Sequence, residues 1–102
     1  MGYRSDVFIK VHLEDEDRLV EILKENEFIA IKNYSDKDYV VYIIDDVKWH
    51  DGFKDVKAVN DFIEEESEYP KGLIAIGEDN AIAEYGEPSE VGLWVITQVG
   101  WN

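Results

Sequence analysis

The chain contains no cysteine, which excludes disulfides, thiolate metal sites and a cysteine nucleophile and fits a reducing, cytoplasmic setting. Basic residues are scarce: 10 Lys plus Arg stand against 24 Asp plus Glu, for a formal net charge of -14 at pH 7. Unaided attraction to nucleic acid or to anionic lipid is thereby disfavoured. The glycines are scattered and the only arginines are Arg4 and Arg18, so there is no phosphate-cradling P-loop and no dinucleotide fingerprint. No apolar run approaches membrane-spanning length. Met1 leads into a strand-like segment with no basic and apolar leader, and an intact cytosolic chain is expected.

What is present suffices for one folded unit. In 102 residues, 45% hydrophobic content with many Ile, Val and aromatic residues supplies one core. A single α+β domain over residues 1–102 is expected, and there is too little chain for two. This apolar content separates the sequence from an acidic disordered tail.

From Val7 to Leu13 the residues alternate, with Val7, Ile9, Val11 and Leu13 on one side and Phe8, Lys10 and His12 on the other, the pattern of a half-buried strand. Acids from Glu14 to Asp17 suit a helix N-terminus, and the spacing of Leu19, Ile22 and Leu23 predicts a helix over 16–25. Ile29 to Tyr34 and Tyr39 to Val47, separated by the polar Ser35 to Asp38, predict a β-hairpin. From Asp55, read as an N-cap, Val56, Val59, Phe62 and Ile63 form a second helical stripe. Its tail, Glu64, Glu65, Glu66, Ser67 and Glu68, opposes the helix dipole and predicts an end before Tyr69 and Pro70. Leu73 to Ile76 and Ala81 to Tyr85 predict short strands around Gly77 to Asn80, and Leu93 to Val99 predicts a last strand.

The order β-α-β-β-α-β-β-β matches, in its first six elements, the split βαβ of ferredoxin-like folds, with two helices on one face of a mainly antiparallel sheet and a C-terminal β extension. In that plan Val41 and Ile43 join Val7, Ile9, Val11 and Leu13 beneath the helices. The other sheet face then carries Phe8, Lys10, His12, Val40, Tyr42 and Ile44, too apolar for a wet surface. The C-terminal strands, Trp94 or Trp101, or a second subunit are expected to cover it, leaving monomer and homodimer both open.

No catalytic residue is assigned. The serines lack a nucleophile-elbow frame, and the abundance of acids singles out no general acid and base pair. Asp45, Asp46, His50 and Asp51 offer four potential metal ligands within seven residues, but the plainer reading is a strand end and a polar turn. They match neither an EF-hand nor a zincin, so neither metal nor cofactor is assigned. Arg4, Lys48 and Trp49 allow a small ligand-binding pocket in which cations meet a phosphate and the indole stacks on a base. The plainer reading is an ion-pair partner, a strand-end charge and a core-edge aromatic.

Charge is distributed unevenly. Residues 61–90 hold ten acids against Lys71 alone, a net of -9, and residues 14–27 hold seven acids against Arg18 and Lys24, a net of -5. These two blocks account for the whole excess. Clustered charge of this kind suits attraction to a basic protein, although a solvated acidic face also serves solubility. The candidate partner-binding residues are Glu64, Glu65, Glu66, Glu68, Glu78 and Asp79.

Met1-Gly2-Tyr3-Arg4-Ser5-Asp6-Val7, Val47-Lys48-Trp49 and Ile76-Gly77-Glu78-Asp79 occur together in this chain. In these runs it resembles a group of small, acidic, uncharacterised bacteriophage proteins that open Gly-Tyr-Arg-Ser-Asp-Val, carry Lys-Trp before a second helix and have an Ile-Gly-Glu-Asp turn. His50 stands where the group often has an aromatic. The resemblance implies a phage or prophage origin and no particular chemistry. With the charge pattern it leads to the expectation of a non-enzymatic accessory protein that binds and modulates a basic host protein in the host cytoplasm, by imitating nucleic-acid charge or countering a defence. The alternatives are a small-molecule binder that sequesters a nucleotide signal and an immunity protein for a basic toxin.

Overall fold

The alternating first segment forms strand β1, Ser5–His12, in which Val7, Ile9 and Val11 are fully buried. The structure, a computed structural model, describes residues 4–35, 37–50, 52–77, 81–95 and 99–101. After β1 come α1 (Leu13–Glu25), β2 (Ile31–Ser35), β3 (Tyr39–Val47), α2 (Lys54–Glu64), β4 (Gly72–Gly77), β5 (Ile82–Gly86), β6 (Leu93–Val95) and β7 (Val99–Trp101). The architecture is α+β, with two helices and an open five-stranded sheet in the order β2-β3-β1-β4-β5, every neighbouring pair antiparallel. Among the described residues no helix is long and apolar enough to cross a membrane.

Helix α1 begins at Leu13, earlier than the apolar spacing predicts, because His12 ends β1 in an extended conformation and caps the helix. Its Nδ1 accepts a hydrogen bond from the Glu14 N–H at 3.1 Å. Glu14, Asp15 and Glu16 then occupy the first turn, where the helix dipole favours acids. In α2 the N-cap is Phe53, not Asp55. Asp55 sits inside the first turn and its Oδ1 accepts from the Val56 N–H at 2.8 Å, so the acid serves the same end of the helix from one step further in. The helix stops at Glu64 and Glu65 is extended, which spares the following carboxylates a place at the negative end of the dipole.

Both helices pack on one sheet face. Leu19 and Leu23 of α1 and Val59, Phe62 and Ile63 of α2 share a core with Val7, Ile9, Val11, Leu73 and Ala75. The β3 residues in that core are Val40, Tyr42 and Ile44, the reverse of the expected Val41 and Ile43. The register explains the correction: Val7 pairs with Ile44, Ile9 with Tyr42 and Val11 with Val40, and directly paired residues project from the same face. From Tyr39 to Ile44 the strand carries no apolar–polar alternation to set its phase, so the register decides.

The opposite face carries a smaller cluster of Ile74, Val91 and Leu93, with Phe8, Tyr39 and Ile76 packed against it. The chain after β5 returns across β4, fastened by a hydrogen bond from the Glu87 N–H to the Lys71 carbonyl at 2.8 Å. Gly72 allows this approach, since a Cβ there would lie 2.6 Å from Pro88 Cα. Cover therefore comes from the same chain through Val91 and Leu93, and Tyr42 and Ile44 need none. The side chains of Trp94 and Trp101 lie outside the described residues. The expected single strand from Leu93 to Val99 is instead two: β6 and β7 pair with each other, Leu93 opposite Trp101 and Val95 opposite Val99, as a separate two-stranded sheet. Folding back supplies partners for backbone groups that one unpaired strand would leave open.

Candidate partner-binding site

Between α2 and β4 the chain turns around one ammonium group. Lys71 is 3% exposed, and its Nζ donates to the Glu65 carbonyl at 3.0 Å and to Ser67 Oγ at 2.9 Å while standing 4.8 Å from the centre of the Phe62 ring. Ser67 Oγ donates in turn to the Tyr69 carbonyl at 2.8 Å. Polar backbone and hydroxyl groups are thereby drawn inward to the cation, while Glu64, Glu65, Glu66 and Glu68 remain exposed. The result is an open cleft of about 750 Å³, lined by residues 63–71 together with Gly86 and Glu87.

The four glutamates differ in what holds them. Arg18 clasps Glu65 with two hydrogen bonds, 2.6 Å to Oε1 and 3.0 Å to Oε2, and its guanidinium also stands 5.2 Å from the centre of the Phe62 ring. Those hydrogen bonds hold the Glu65 carboxyl below its usual range. The side chains of Glu64, Glu66 and Glu68 have no hydrogen bond or ion pair with any described residue, and they present unneutralised charge beside the cleft. Glu78 and Asp79 lie outside the described residues.

Two contacts join the acidic blocks that the sequence keeps apart. One is Arg18 with Glu65; the other is the Tyr69 hydroxyl, which donates to Glu14 Oε2 at 2.9 Å. That hydrogen bond to a carboxylate raises the pKa of the Tyr69 phenol. The exposed acids of α1, Glu14, Asp17 and Glu21, recur at helical spacing and adjoin the glutamates after α2, giving one acidic surface along the outside of the helix layer. Glu16 is withdrawn from it. Its Oε2 accepts from the Tyr42 hydroxyl at 2.6 Å and faces Lys32 Nζ at 3.1 Å, so the Glu16 carboxyl is held low, first by the tyrosine, while burial and the carboxylate push the Tyr42 phenol far above its usual range.

Arg4, Lys48 and Trp49 have separate surroundings. The Arg4 guanidinium donates to the Asp46 carbonyl at 2.8 Å and lies 3.8 Å from the Asp46 carboxylate, while Asp6 Oδ1 accepts from the Asp46 N–H at 3.0 Å. Both motif residues thus clamp a position with φ 52° beside an irregularity in the β1–β3 ladder. Trp49 is half-buried and packs against the helix-side core, its ring 5.4 Å from that of Phe28, and Lys48 is exposed. The cleft after α2 includes none of the three. Among the described residues no group of three His, Asp or Glu is arranged to hold a metal ion; Asp51 lies outside them.

Sequence reasoning missed Lys71, Arg18 and Tyr69 as parts of this site. The available signal was Lys71, alone among ten acids. No protein-family model, curated protein or solved structure matches the chain.

Proposed function

We propose that this chain is a non-enzymatic accessory protein that binds a basic protein on the acidic surface of α1 and the α2–β4 loop. The observation that carries the reading is the joining of the two acidic blocks through Arg18–Glu65 and Tyr69–Glu14, with Glu64, Glu66 and Glu68 left unneutralised at the cleft. Clustered carboxylates steer a cationic partner and fix its orientation more than they add raw affinity. The resemblance of the opening run to acidic phage proteins supports a host protein as the partner, one whose basic surface ordinarily meets nucleic acid. A toxin capped by an immunity protein would use the same surface. The nucleotide-sequestering reading is less well supported, because Arg4 is engaged by Asp46 and Trp49 packs against the core, outside the cleft.

The finer fold assignment belongs with this proposal. The run β2-β3-β1-β4, with α1 leading from β1 to β2 and α2 from β3 to β4, supports a ferredoxin-like relationship. The five-strand order is not that of the four-strand plan, since β5 extends the β4 edge.

The test is affinity capture from host lysate at low and moderate salt, followed by titration of the purified partner. The bait is compared with a variant carrying Glu64→Gln, Glu66→Gln and Glu68→Gln; Glu65 is kept because it holds Arg18. Three rim charge pairs at about 0.5 kcal/mol each predict roughly tenfold weaker binding, with less salt dependence. Equal recovery by both proteins at both salts overturns the reading.

A further inference from the structure

An open five-stranded sheet has two edges, here β2 and β5, and among the described residues neither has a strand beyond it. Their side chains differ. One row across the sheet runs Ile31, Ile43, Phe8, Ile74 and Glu84, from β2 through β3, β1 and β4 to β5. It is apolar until it reaches the β5 edge, where it ends on an acid, whereas at the β2 edge it ends on Ile31, 61% exposed. Two residues earlier Ile29 is 86% exposed, the most exposed of the large hydrophobic side chains described. On the β5 edge Ile82 is 49% exposed, less than either isoleucine of the β2 side.

Charge separates the two edges further. Residues 28–44 contain Lys32, Asp36, Lys37 and Asp38 and are neutral in sum. Lys32, a charged residue of the kind that guards sheet edges, points to the helix side and is held by Glu16. The strongly acidic stretch of residues 61–90 lies with α2, β4 and β5, which contact one another at the far side of the sheet. Residues 28–44 offer a basic protein no net charge. Although the acids of α1 lie over this side of the sheet, where Glu16 meets Lys32, the net charge of residues 14–27 is -5 against -9 for residues 61–90, so a copy of this chain meets less repulsion at β2 than at β5.

We infer that the β2 edge is a homodimer interface, at which a second copy adds its own β2 antiparallel about a twofold axis. Antiparallel pairing of identical strands is self-complementary, closes after two copies, and buries Ile29 and Ile31 against their equivalents. The ladder irregularity between Lys32 and Tyr34 confines the regular edge to its first residues, so the contact is small and the dimer is concentration-dependent. Glu25 and Glu27, which precede the strand, retain some repulsion between copies. Added salt therefore strengthens this contact, opposite to its effect on a basic partner.

Sedimentation equilibrium of the full chain over about 10 μM to 1 mM, at low salt and at about 0.5 M salt, tests the inference within the weak range of small interfaces. The expected result is a mass rising from 11.8 kDa toward twice that value, with association several-fold tighter at high salt. The double variant Ile29→Lys, Ile31→Lys is expected to stay monomeric with an unchanged circular dichroism spectrum, and Ile82→Lys on the β5 edge to behave as wild type. Amide exchange of residues 29–32 is expected to slow as concentration rises. A wild-type monomer throughout, a dimer weakened by salt, or one dissolved by Ile82→Lys but not by the β2 variant overturns the inference.

Discussion

Replacing Lys71 by methionine keeps the apolar stem and removes the charge around which the α2–β4 loop is built. Two hydrogen bonds to a charged donor are lost, each contributing about 1.5–3 kcal/mol, together with the attraction of the ammonium to the Phe62 face. Two effects offset part of this. The buried ammonium no longer has to be desolvated, and the cleft is open enough for water to reach the Glu65 carbonyl and Ser67 hydroxyl. A net loss of about 2 kcal/mol remains, equivalent to roughly 10 °C in Tm for a chain of this size. Urea unfolding followed by tryptophan fluorescence is the assay, with an unchanged m value expected. Lys57→Met serves as the control, because its ion pair with Asp61 is exposed and contributes less than about 0.5 kcal/mol. Faster amide exchange in residues 65–70 should accompany the Lys71 variant. A loss under about 0.5 kcal/mol, indistinguishable from that of Lys57→Met, would refute the argument that this lysine organises the loop.

The Tyr42 phenol is raised in the folded state by burial and by Glu16, so its contribution is complete below the ordinary tyrosine value of 10.0 and is lost as pH rises above it. Tyr42→Phe should therefore cost about 1 kcal/mol at neutral pH and flatten the alkaline loss of stability seen in urea midpoints. Glu16 and Glu65 are lowered from 4.5, so their stabilisation is present above that pH and disappears as pH falls through their folded values; Arg18→Met should remove the Glu65 share of this acid dependence. Gly72→Ala places a Cβ 2.6 Å from Pro88 Cα and should destabilise by about 1–3 kcal/mol in thermal melts. His12→Ala removes the side-chain cap of α1 and should cost about 1 kcal/mol by urea unfolding.

Local chemistry made much of the fold legible from sequence. Tyr39–Val47 is a strand because β-branched and aromatic residues fill it, and α2 forms where Val56, Val59, Phe62 and Ile63 recur at helical spacing and stops where carboxylates crowd its negative end. Those signals lie within a few residues of what they determine. The phase of β3 does not: Val40 to Ile44 is apolar throughout, and only its register with β1 sends Val40, Tyr42 and Ile44 under the helices. The last strand divides in two because Leu93–Val95 finds its partner in Val99–Trp101. The acidic residues of the site were legible as charge, but their union was not. Arg18 and Glu65 are 47 residues apart and Tyr69 and Glu14 are 55 apart. Charge counts are fixed by composition, whereas which carboxylates are neutralised, and which stand together in solvent, depends on helix packing that brings the start of α1 beside the end of α2.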